Sequence, residues 1–354
     1  NQDHLRDTAL EQVLRALVPD AIIVGIAPHR LGPVHAVLQA QDAVRDDLPT
    51  IVNYCDFDFS WDPERFRRTM AALDCDGAVC CYTGPQPHYV TGTWYATCAH
   101  HQGRVTDIRE KGGFGGDRTE EYASSGTYYF RDGALVKRLF AAQVAQGLTT
   151  NDEFYASLAY LPLLAEGGDV RIYEIDGFCQ WGTPSDLEDW QYWQRSFAAW
   201  ANRAHGASDA HPARLLMPMA GLGSRFSGAH NLPKPLIDVM GEPMFRAASQ
   251  MLPASSERPV YIVQQPLAEA VTQAAPGAEL VVLAGPTEGQ AVTTAQGEGV
   301  LAPHASVLVS SCDHGLVWDP AHWDALMVAQ PDVVVVGQRG YPAASRTPEA
   351  YAYL

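Results

Sequence analysis

The sequence predicts an α/β fold with three layers, in which helices cover both faces of a mostly parallel mixed sheet. Short apolar runs of strand length alternate along the chain with amphipathic segments of helix length, and this alternation is typical of parallel sheets. Several helical segments begin at Pro, Ser or Asp, which are common at helix N-termini. A glycine-rich turn also follows one of the apolar runs, as expected where a strand leads into a ligand-binding loop.

The predicted elements can be placed along the chain. The predicted strands are 21–26, 50–54, 77–82, 215–219, 260–263, 280–283, 306–310 and 333–337. The predicted helices are 8–17, 63–73, 185–200, 243–251 and 320–328. A stretch rich in Ala, Gly, Ser, Asp and His at 202–212 is typical of a linker and places a domain boundary near residue 210.

Length and composition limit the classes of function. A chain of 354 residues is longer than one hydrophobic core usually holds, which predicts two domains. The formal net charge of −17 argues against nucleic acid and anionic lipid as partners, because both require a basic surface. No apolar run reaches the roughly 20 residues of a membrane span, so we expect a cytoplasmic protein without a membrane partner. The seven cysteines lack paired Cys-x-x-Cys spacing, and we expect reduced core residues.

A phosphate-binding loop is predicted after the strand at 215–219. The loop Ala220-Gly221-Leu222-Gly223-Ser224-Arg225 carries two glycines and an arginine, and Lys234 follows between two prolines. Glycines allow backbone N–H groups to approach phosphate oxygens, and the two cations neutralise phosphate charge. The flanking prolines restrict the backbone at Lys234. The pattern therefore predicts a site for a nucleoside triphosphate at the carboxyl end of this strand.

Two aspartates are candidate metal ligands. Asp56 follows the predicted strand at 50–54, and Asp313 follows the one at 306–310. Both carboxylates should therefore emerge at the carboxyl edge of the sheet, beside the phosphate loop. A single carboxylate that faces a triphosphate is a common ligand of Mg²⁺, whose other ligands are water and phosphate oxygens. Mg²⁺ is therefore the predicted cofactor.

An internal repeat relates the two ends of the chain. Residues 55–63 and 312–320 share Cys, Asp, Trp, Asp and Pro at matching positions, with an offset of 257 residues. The same offset pairs Gly32 with Gly289. These matches indicate a long repeat of which the sequence contains two partial copies.

The repeat predicts three parts in the chain. Residues 1–205 form copy one, which lacks the first strand and the glycine loop, and residues 206–212 form the linker. Residues 213–354 form the nucleotide-binding half of copy two. Each copy lacks a part of the site that the other has, so we expect neither to be a complete catalyst. The chain is interpreted as a fragment of a longer tandem protein.

Together these motifs resemble those of the sugar-1-phosphate nucleotidyltransferases, a family marked by G-x-G-[S/T]-R-[F/L] followed by P-K-P-L. The resemblance implies the Rossmann-like nucleotidyltransferase fold in two partial copies. It also implies transfer of a nucleoside monophosphate from an NTP to a sugar 1-phosphate or similar acceptor, with release of pyrophosphate, for nucleotide-sugar and surface polysaccharide biosynthesis. NTP and a sugar phosphate are the implied partners. The oligomeric state stays open, a homo-oligomer included.

The resemblance implies roles for individual residues in each copy. In copy two, Arg225 and Lys234 would stabilise the triphosphate, and Asp313 would hold Mg²⁺. In copy one, Lys111 would orient the acceptor phosphate, and Asp56 is the metal ligand. The implied nucleotide-binding residues are Ala220, Gly221, Leu222, Gly223, Ser224, Gly289 and Gln290. The implied acceptor-binding residues are Glu110, Gly126, Thr127 and Glu153.

Two positions depart from the family pattern. Gln180 stands where many relatives carry a second metal-binding aspartate, and residues 29–33 of copy one lack the glutamine that copy two has at 290. Two other functions stay open. A glycosyltransferase would use Asp56-Phe57-Asp58 as a D-x-D metal site. A degenerate copy would instead serve as a non-enzymatic scaffold that binds a nucleotide or a partner chain.

Overall fold

The computed structural model of the chain describes residues 1–84, 92, 94–201, 213–226, 232–254, 258–346, 348–350 and 352, without the side chains of residues 225, 345, 346 and 350. The chain divides into two compact units, Asn1–Trp190 and Gln191–Leu354. The division falls within a helix, upstream of the predicted linker. That linker, residues 206–212, lies outside the described residues.

The first unit is a mixed α/β structure. Its elements up to residue 109 are α1 (Gln2–Asp7), α2 (Leu10–Leu17), α3 (Pro33–Gln39), β1 (Thr50–Asn53), β2 (Phe57–Ser60), α4 (Pro63–Leu73), β3 (Gly77–Tyr82), β4 (Thr97–His101) and β5 (Arg104–Arg109). They are followed by β6 (Tyr122–Phe130), α5 (Gly133–Gln146), α6 (Tyr160–Ala165), β7 (Val170–Glu174), β8 (Gly177–Gln180) and α7 (Pro184–Ala201), which extends into the second unit.

The main sheet of the first unit has the strand order β1-β6-β3-β7-β5-β4. β3 and β7 pair in parallel, with Gly77 opposite Val170, and the other neighbours in this order pair in antiparallel fashion. β2 pairs separately with β8, which brings Phe57 opposite Gln180. β3 is buried along its whole length, as expected for a strand in the centre of a covered sheet.

Helices cover both faces of this sheet. Val79 of β3 packs in a cluster with Leu139 and other residues of α5, whereas Ala78, its neighbour in sequence, packs in a cluster with Phe66 of α4. Successive residues of a strand point to opposite faces, so the two clusters lie on opposite sides of β3. This arrangement gives the three layers that the alternation of elements predicts.

The helix α5 shows how local sequence fixes an element of the core. Asp132 caps its N-terminus by accepting a hydrogen bond from the Leu135 N–H group, and Gly147 ends it in the left-handed conformation. Val136, Leu139 and Phe140 recur at helical spacing and are fully buried against the sheet.

The second unit is built on a parallel sheet. After α7 its elements are β9 (Arg214–Pro218), β10 (Asp238–Val239), β11 (Glu242–Pro243), α8 (Met244–Gln250), β12 (Val260–Gln264), α9 (Ala268–Ala274), β13 (Glu279–Leu283), α10 (Gln290–Ala295), β14 (Val307–Val309), α11 (Pro320–Val328) and α12 (Pro342–Arg346). The short strands β10 and β11 form a separate pair.

The strand order in this sheet is β13-β12-β9-β14, and all neighbours are parallel. Leu216 of β9 lies between Val260 of β12 and Val309 of β14. Met217 and Ile262 are fully buried, as expected for strands that are covered on both faces. The predicted α/β class is confirmed, and the share of parallel pairs is higher in the second unit than in the first.

Corresponding positions of the internal repeat carry similar local structure. β1 and β14 occupy matching positions, and each is followed by a helix that begins at an aspartate. Asp62 accepts a hydrogen bond from the Glu64 N–H group, and Asp319 accepts one from the Ala321 N–H group. The helices α4 and α11 that follow have the predicted bounds. The tandem arrangement itself stays a prediction.

Two of the predicted strands do not form in the described residues. Residues 21–26 correspond in the repeat to β13, which pairs with β12, but the counterpart of β12 in the first unit is the helix α1. Residues 333–337 correspond to β3, which lies between β6 and β7, and no described strand lies beside them. Both predictions are wrong because a strand requires neighbours for its backbone hydrogen bonds as well as an apolar sequence.

Two further features concern the chain as a whole. Within the described ranges, no helix combines the length and the apolar character that crossing a bilayer requires. All the cysteines are free thiols; Cys75, Cys80, Cys81, Cys98 and Cys312 are buried. Burial raises the pKa of the Cys312 thiol to about 11. Cys55 and Cys179 are exposed, which corrects the expectation of a core position for these two.

Candidate functional site

A cavity of about 330 Å³ opens in the second unit, at the carboxyl ends of β9 and β14. Its wall consists of the glycine loop after β9, the turn at Lys234, residues 287–293 and the residues that follow β14. Ligands of open parallel sheets bind at this edge. The predicted residues Gly221, Gly223, Ser224, Lys234, Gly289, Gln290 and Asp313 all line this cavity.

The glycine loop is anchored on both sides. Gly223 has φ = +61°, and a Cβ atom at this position would lie 3.1 Å from Lys234 Cβ. At the start of the loop, Gln264 Nε2 donates a hydrogen bond of 2.6 Å to the Ala220 carbonyl. Glycine is required at 223 both for the left-handed backbone and for the close approach of Lys234. The loop is therefore fixed at Ala220 and at Gly223, at the edge of the cavity.

The remainder of the loop is open to solvent. Leu222 is 73% exposed, and Gly221 has no heavy atom within 4 Å of a Cβ placed on it. Residues 224–226 form a single turn of 3₁₀ helix. Arg225 lies in this turn, but its side chain is outside the described residues. Its predicted contact with a triphosphate thus stays a prediction.

Lys234 and Asp313 form an ion pair at the cavity. Lys234 Nζ donates a hydrogen bond to Asp313 Oδ2, and the two side chains are 17% and 34% exposed. His314, whose Nδ1 lies 3.6 Å from Asp313 Oδ1, and Lys234 hold the pKa of Asp313 well below its usual range. The carboxylate is therefore ionised at neutral pH and available to a cation.

Residues 287–293 form a hydrogen-bonded wall of the cavity. The Gly289 carbonyl lies 3.1 Å from the hydroxyls of both Thr287 and Thr293 and accepts from them. Gln290, the first residue of α10, donates from Nε2 to Ser311 Oγ at 3.2 Å. This contact links the wall to the residues that follow β14, where Asp313 lies. Gly289 and Gln290 are thus brought to the same cavity as the predicted phosphate loop.

A family model matches this part of the chain. Residues 217–351 match the MobA-like NTP transferase domain. This segment is therefore similar in sequence to NTP-transferase domains. The matched range contains every residue that lines the cavity, so the cavity belongs to the matched domain. For this segment, the match supports the nucleotidyltransferase family that the sequence predicts.

Similarities to solved structures are weaker. A nucleoside-diphosphate-sugar pyrophosphorylase from Vibrio cholerae RC9 has 16% identity and a TM-score of 0.41, over 52% of this chain and 76% of that one. A Bacillus anthracis protein described as a glucose-1-phosphate thymidylyltransferase has 16% identity and a TM-score of 0.40, over 56% and 74%. At such TM-scores neither similarity assigns an activity. No curated protein matches the chain.

Outside the matched segment, the first unit brings the predicted acceptor residues together. Lys111 follows β5 and has φ = +52°. Its Nζ lies 2.6 Å from Tyr155 Oη, and the same hydroxyl donates a hydrogen bond to Glu153 Oε2. Tyr155 thus connects two residues, Lys111 and Glu153, that the sequence predicts to contact the acceptor.

Glu110 lies beside this group in a more buried position. Ser157 Oγ donates a hydrogen bond of 2.5 Å to Glu110 Oε2. Burial raises the pKa of Glu110, while the Ser157 hydrogen bond and the charge of Lys111 act in the opposite direction. The side chains of Glu110, Lys111 and Glu153 therefore place two carboxylates and one ammonium in a single region of the first unit.

The strand β6 contributes Gly126 and Thr127. Gly126 has φ = +93°, and a Cβ atom there would lie 2.8 Å from the Phe57 ring and 3.1 Å from the Tyr54 ring. Thr127 is 1% exposed, and its hydroxyl donates to Asn53 of β1. The Thr127 side chain thus stabilises the pairing of β1 with β6, and the predicted contact of Thr127 with the acceptor stays a prediction.

Asp56 belongs to the first unit and Asp313 to the second. The Trp181 N–H group donates to the Asp56 carbonyl at 2.8 Å, and a Cβ atom on Gly182 would lie 3.2 Å from Asp56 Oδ2. Asp58, the second acid of the D-x-D sequence, accepts from the Phe59 N–H group. Among the described residues, no three His, Cys, Asp or Glu side chains form a metal-binding group. The metal-binding roles of Asp56 and Asp313 stay predictions.

Three residues of these sites were missed by the sequence reasoning. Gln264 ends β12 at the carboxyl edge, so the rule that selects Asp313 would also have found it. Tyr155 lies two residues after Glu153, the spacing that places side chains on one face of an extended segment. His314 directly follows Asp313, and no pattern in the sequence distinguishes it.

Proposed function

We propose that the chain is part of an enzyme that transfers a nucleoside monophosphate from an NTP to a sugar 1-phosphate or a similar phosphorylated acceptor, with release of pyrophosphate. The observation that carries the proposal is the convergence of the glycine loop, Lys234 and Asp313 on one cavity in the matched segment.

The cavity suits a nucleotide in size and charge. Its volume of about 330 Å³ lies within the range of small-ligand pockets. The chain has a net charge of −17, and Lys234 is one of only three lysines in its sequence. Its position at the cavity provides an ammonium that a polyphosphate could contact in exchange for Asp313. The backbone of the glycine loop adds N–H groups that can donate to phosphate oxygens.

Asp313 fits the role of a magnesium ligand. It is ionised at neutral pH and lies at the cavity, and magnesium is commonly bound by one carboxylate together with substrate phosphates and water. Mg²⁺ would supply positive charge that orients and neutralises the phosphates. Lys234 would then exchange its contact with Asp313 for a contact with a phosphate oxygen.

The reaction requires no protein nucleophile. An oxygen of the acceptor phosphate attacks the α-phosphorus, a new P–O bond forms, and the bond to the bridging oxygen of pyrophosphate breaks. Catalysis of such transfers depends on in-line positioning and on neutralisation of phosphoryl charge. In copy two, Lys234 and the loop N–H groups would act on the triphosphate, whereas Lys111 would orient the acceptor phosphate in its own copy.

The test begins with nucleotide binding. We expect Lys234→Ala to weaken NTP binding by about tenfold or more, because a charge-assisted contact is lost. Lys137→Ala is the matched control, since Lys137 is a lysine of the first unit that pairs with Asp46. Calorimetric titration of the three proteins with NTP and Mg²⁺ measures the difference. Equal NTP affinities for all three would contradict the proposal.

Turnover is then measured as pyrophosphate release from NTP, a sugar 1-phosphate and Mg²⁺. Release that requires both substrates and is lost in Lys234→Ala supports nucleotidyl transfer. Sugar transfer from a nucleotide sugar without pyrophosphate release would favour the glycosyltransferase alternative. Nucleotide binding without either reaction would fit two partial copies that each lack a part of the site, as well as the scaffold role.

A further inference from the structure

We propose that Tyr155 is a positioning residue of the acceptor site, whose hydroxyl separates Lys111 from Glu153 and so keeps both available to the acceptor. The inference rests on the proposed function, which assigns Lys111 to the acceptor phosphate. It concerns a residue that contacts both of these side chains and has no counterpart in the motifs of the sequence.

The Tyr155 hydroxyl uses both of its hydrogen-bonding capacities. It accepts from the Lys111 ammonium at 2.6 Å and donates to the Glu153 carboxylate. Lys111 Nζ also lies 4.6 Å from the centroid of the Tyr155 ring, within the range of a cation–π contact. Among the residues that the structure describes, Lys111 forms no ion pair with a carboxylate. The phenol is thus inserted between a positive and a negative group.

The backbone on both sides of Tyr155 is held by other parts of the first unit. The fully buried Gln143 of α5 donates from Nε2 to the Tyr155 carbonyl at 3.0 Å. The Ala156 N–H group donates to the Tyr54 hydroxyl at 3.2 Å. Glu153 and Thr150 exchange two backbone hydrogen bonds of 3.0 and 3.1 Å. The phenol is therefore preorganised by its surroundings and does not depend on Lys111 for its position.

This insertion has a consequence for acceptor binding. A direct Lys111–Glu153 ion pair would have to break before a phosphate could contact the ammonium, and breaking it costs part of the binding free energy. With the phenol between them, a phosphate displaces only a neutral hydroxyl from Lys111. The carboxylate keeps a neutral donor, which a sugar hydroxyl can replace.

The test uses the three lysines of the chain as probes. The protein is labelled with ¹³C at lysine Cε, which gives one signal each for Lys111, Lys137 and Lys234, and the signals are assigned by single Lys→Arg variants. Inorganic phosphate and glucose 1-phosphate are titrated separately. The affinity is read on the Lys111 signal, so that phosphate bound at Lys234 is not counted. Unchanged Lys137 and Lys234 signals show that a variant is folded.

We expect Tyr155→Phe to weaken phosphate binding at Lys111 by about tenfold, because Lys111 then pairs with Glu153. This change is comparable to the loss of one hydrogen bond. Tyr122→Phe is the matched control, since the Tyr122 hydroxyl also donates to a carboxylate, that of Glu174, in the same unit. In Tyr155→Phe/Glu153→Gln the competing charge is absent. Inorganic phosphate affinity at Lys111 should therefore return to within about twofold of the wild type.

The outcomes separate the two proposals. Equal phosphate affinity in wild type and Tyr155→Phe would overturn the role of Tyr155 while leaving the acceptor assignment intact. A double variant as weak as Tyr155→Phe would also overturn it, because the loss would then not come from pairing with Glu153. A wild-type Lys111 signal that moves with neither phosphate nor glucose 1-phosphate would overturn the acceptor assignment itself, and the role of Tyr155 with it.

Discussion

Lys234 donates a hydrogen bond to Asp313, a residue 79 positions away in the chain, and so joins the segment after the glycine loop to the end of β14. The pair places one positive and one negative charge at the wall of the same cavity. Each charge suits a different part of a metal–nucleotide complex, since phosphate requires the ammonium and Mg²⁺ requires the carboxylate. The pair therefore compensates both charges, and in the proposed function a metal–nucleotide complex would replace it.

Asp313→Asn tests this exchange. The substitution removes a negative charge from the cavity and releases Lys234, so we expect metal-free NTP to bind about three- to tenfold more tightly. The additional affinity that Mg²⁺ confers should be lost, because asparagine is a weaker ligand for a hard cation. Calorimetric titrations with NTP in EDTA and in Mg²⁺ measure both effects. The exposed Asp332→Asn is the control, and a variant at 313 that keeps the full response to Mg²⁺ would rule out this metal site.

Gly223→Ala tests the conformation of the glycine loop. The backbone at 223 has φ = +61°, and a Cβ atom there would lie 3.1 Å from Lys234 Cβ. We expect a loss of about 1–2 kcal/mol in the free energy of unfolding, together with weaker NTP binding. Gly221→Ala is the matched control, since its Cβ would meet no atom within 4 Å. Thermal unfolding of the two variants should differ, and equal melting temperatures would contradict the strained position of residue 223.

The residues of the cavity were largely predictable from the sequence because several of them follow directly after strands. Apolar runs give the strand ends, and the carboxyl edge of a parallel sheet brings Asp313 and the glycine loop together without further information. The acceptor region required the structure. The contact of Lys111 with Tyr155 joins residues 44 positions apart through the packing of several elements, and no local pattern encodes it.

The strand predictions show the same limit. The run of valines at 333–336 has the composition of a buried strand, as has its repeat counterpart β3. β3 is covered because β6 and β7 lie on either side of it, whereas Val333 is 78% exposed. Local sequence sets the tendency to extend, and the neighbouring strands decide whether a strand forms.

Glu110→Gln tests whether the buried, ionised Glu110 carboxylate destabilises the fold in a pH-dependent way. Burial raises the pKa of Glu110 above its usual value of 4.5. Between that value and the raised pKa the folded state binds more protons than the unfolded state, so stability falls as the pH rises through this window. We expect the glutamine variant, which can still accept from Ser157, to melt above the wild type at pH 7 and not at pH 4.

The control is Glu120→Gln, because Glu120 is exposed. Its melting temperature relative to the wild type should be the same at the two pH values. Thermal unfolding followed by circular dichroism at both pH values is the measurement. A Glu110→Gln variant that is stabilised equally at pH 4 and pH 7 would show that the effect does not come from ionisation of Glu110. Weaker binding of glucose 1-phosphate by the same variant would be consistent with a role for Glu110 in acceptor binding.

Gln264→Ala tests whether the phosphate loop is positioned from the neighbouring strand. Gln264 ends β12, and its Nε2 donates to the Ala220 carbonyl at 2.6 Å, at the point where β9 leads into the loop. Its loss leaves that carbonyl without this donor and removes a constraint on the loop, so we expect NTP affinity to fall about fivefold with little change in melting temperature. Gln265→Ala, at the exposed next residue, controls for the loss of a glutamine. An unchanged NTP affinity in Gln264→Ala would show that Gly223 and Lys234 suffice to hold the loop. A large fall in melting temperature would instead show that Gln264 mainly stabilises the sheet.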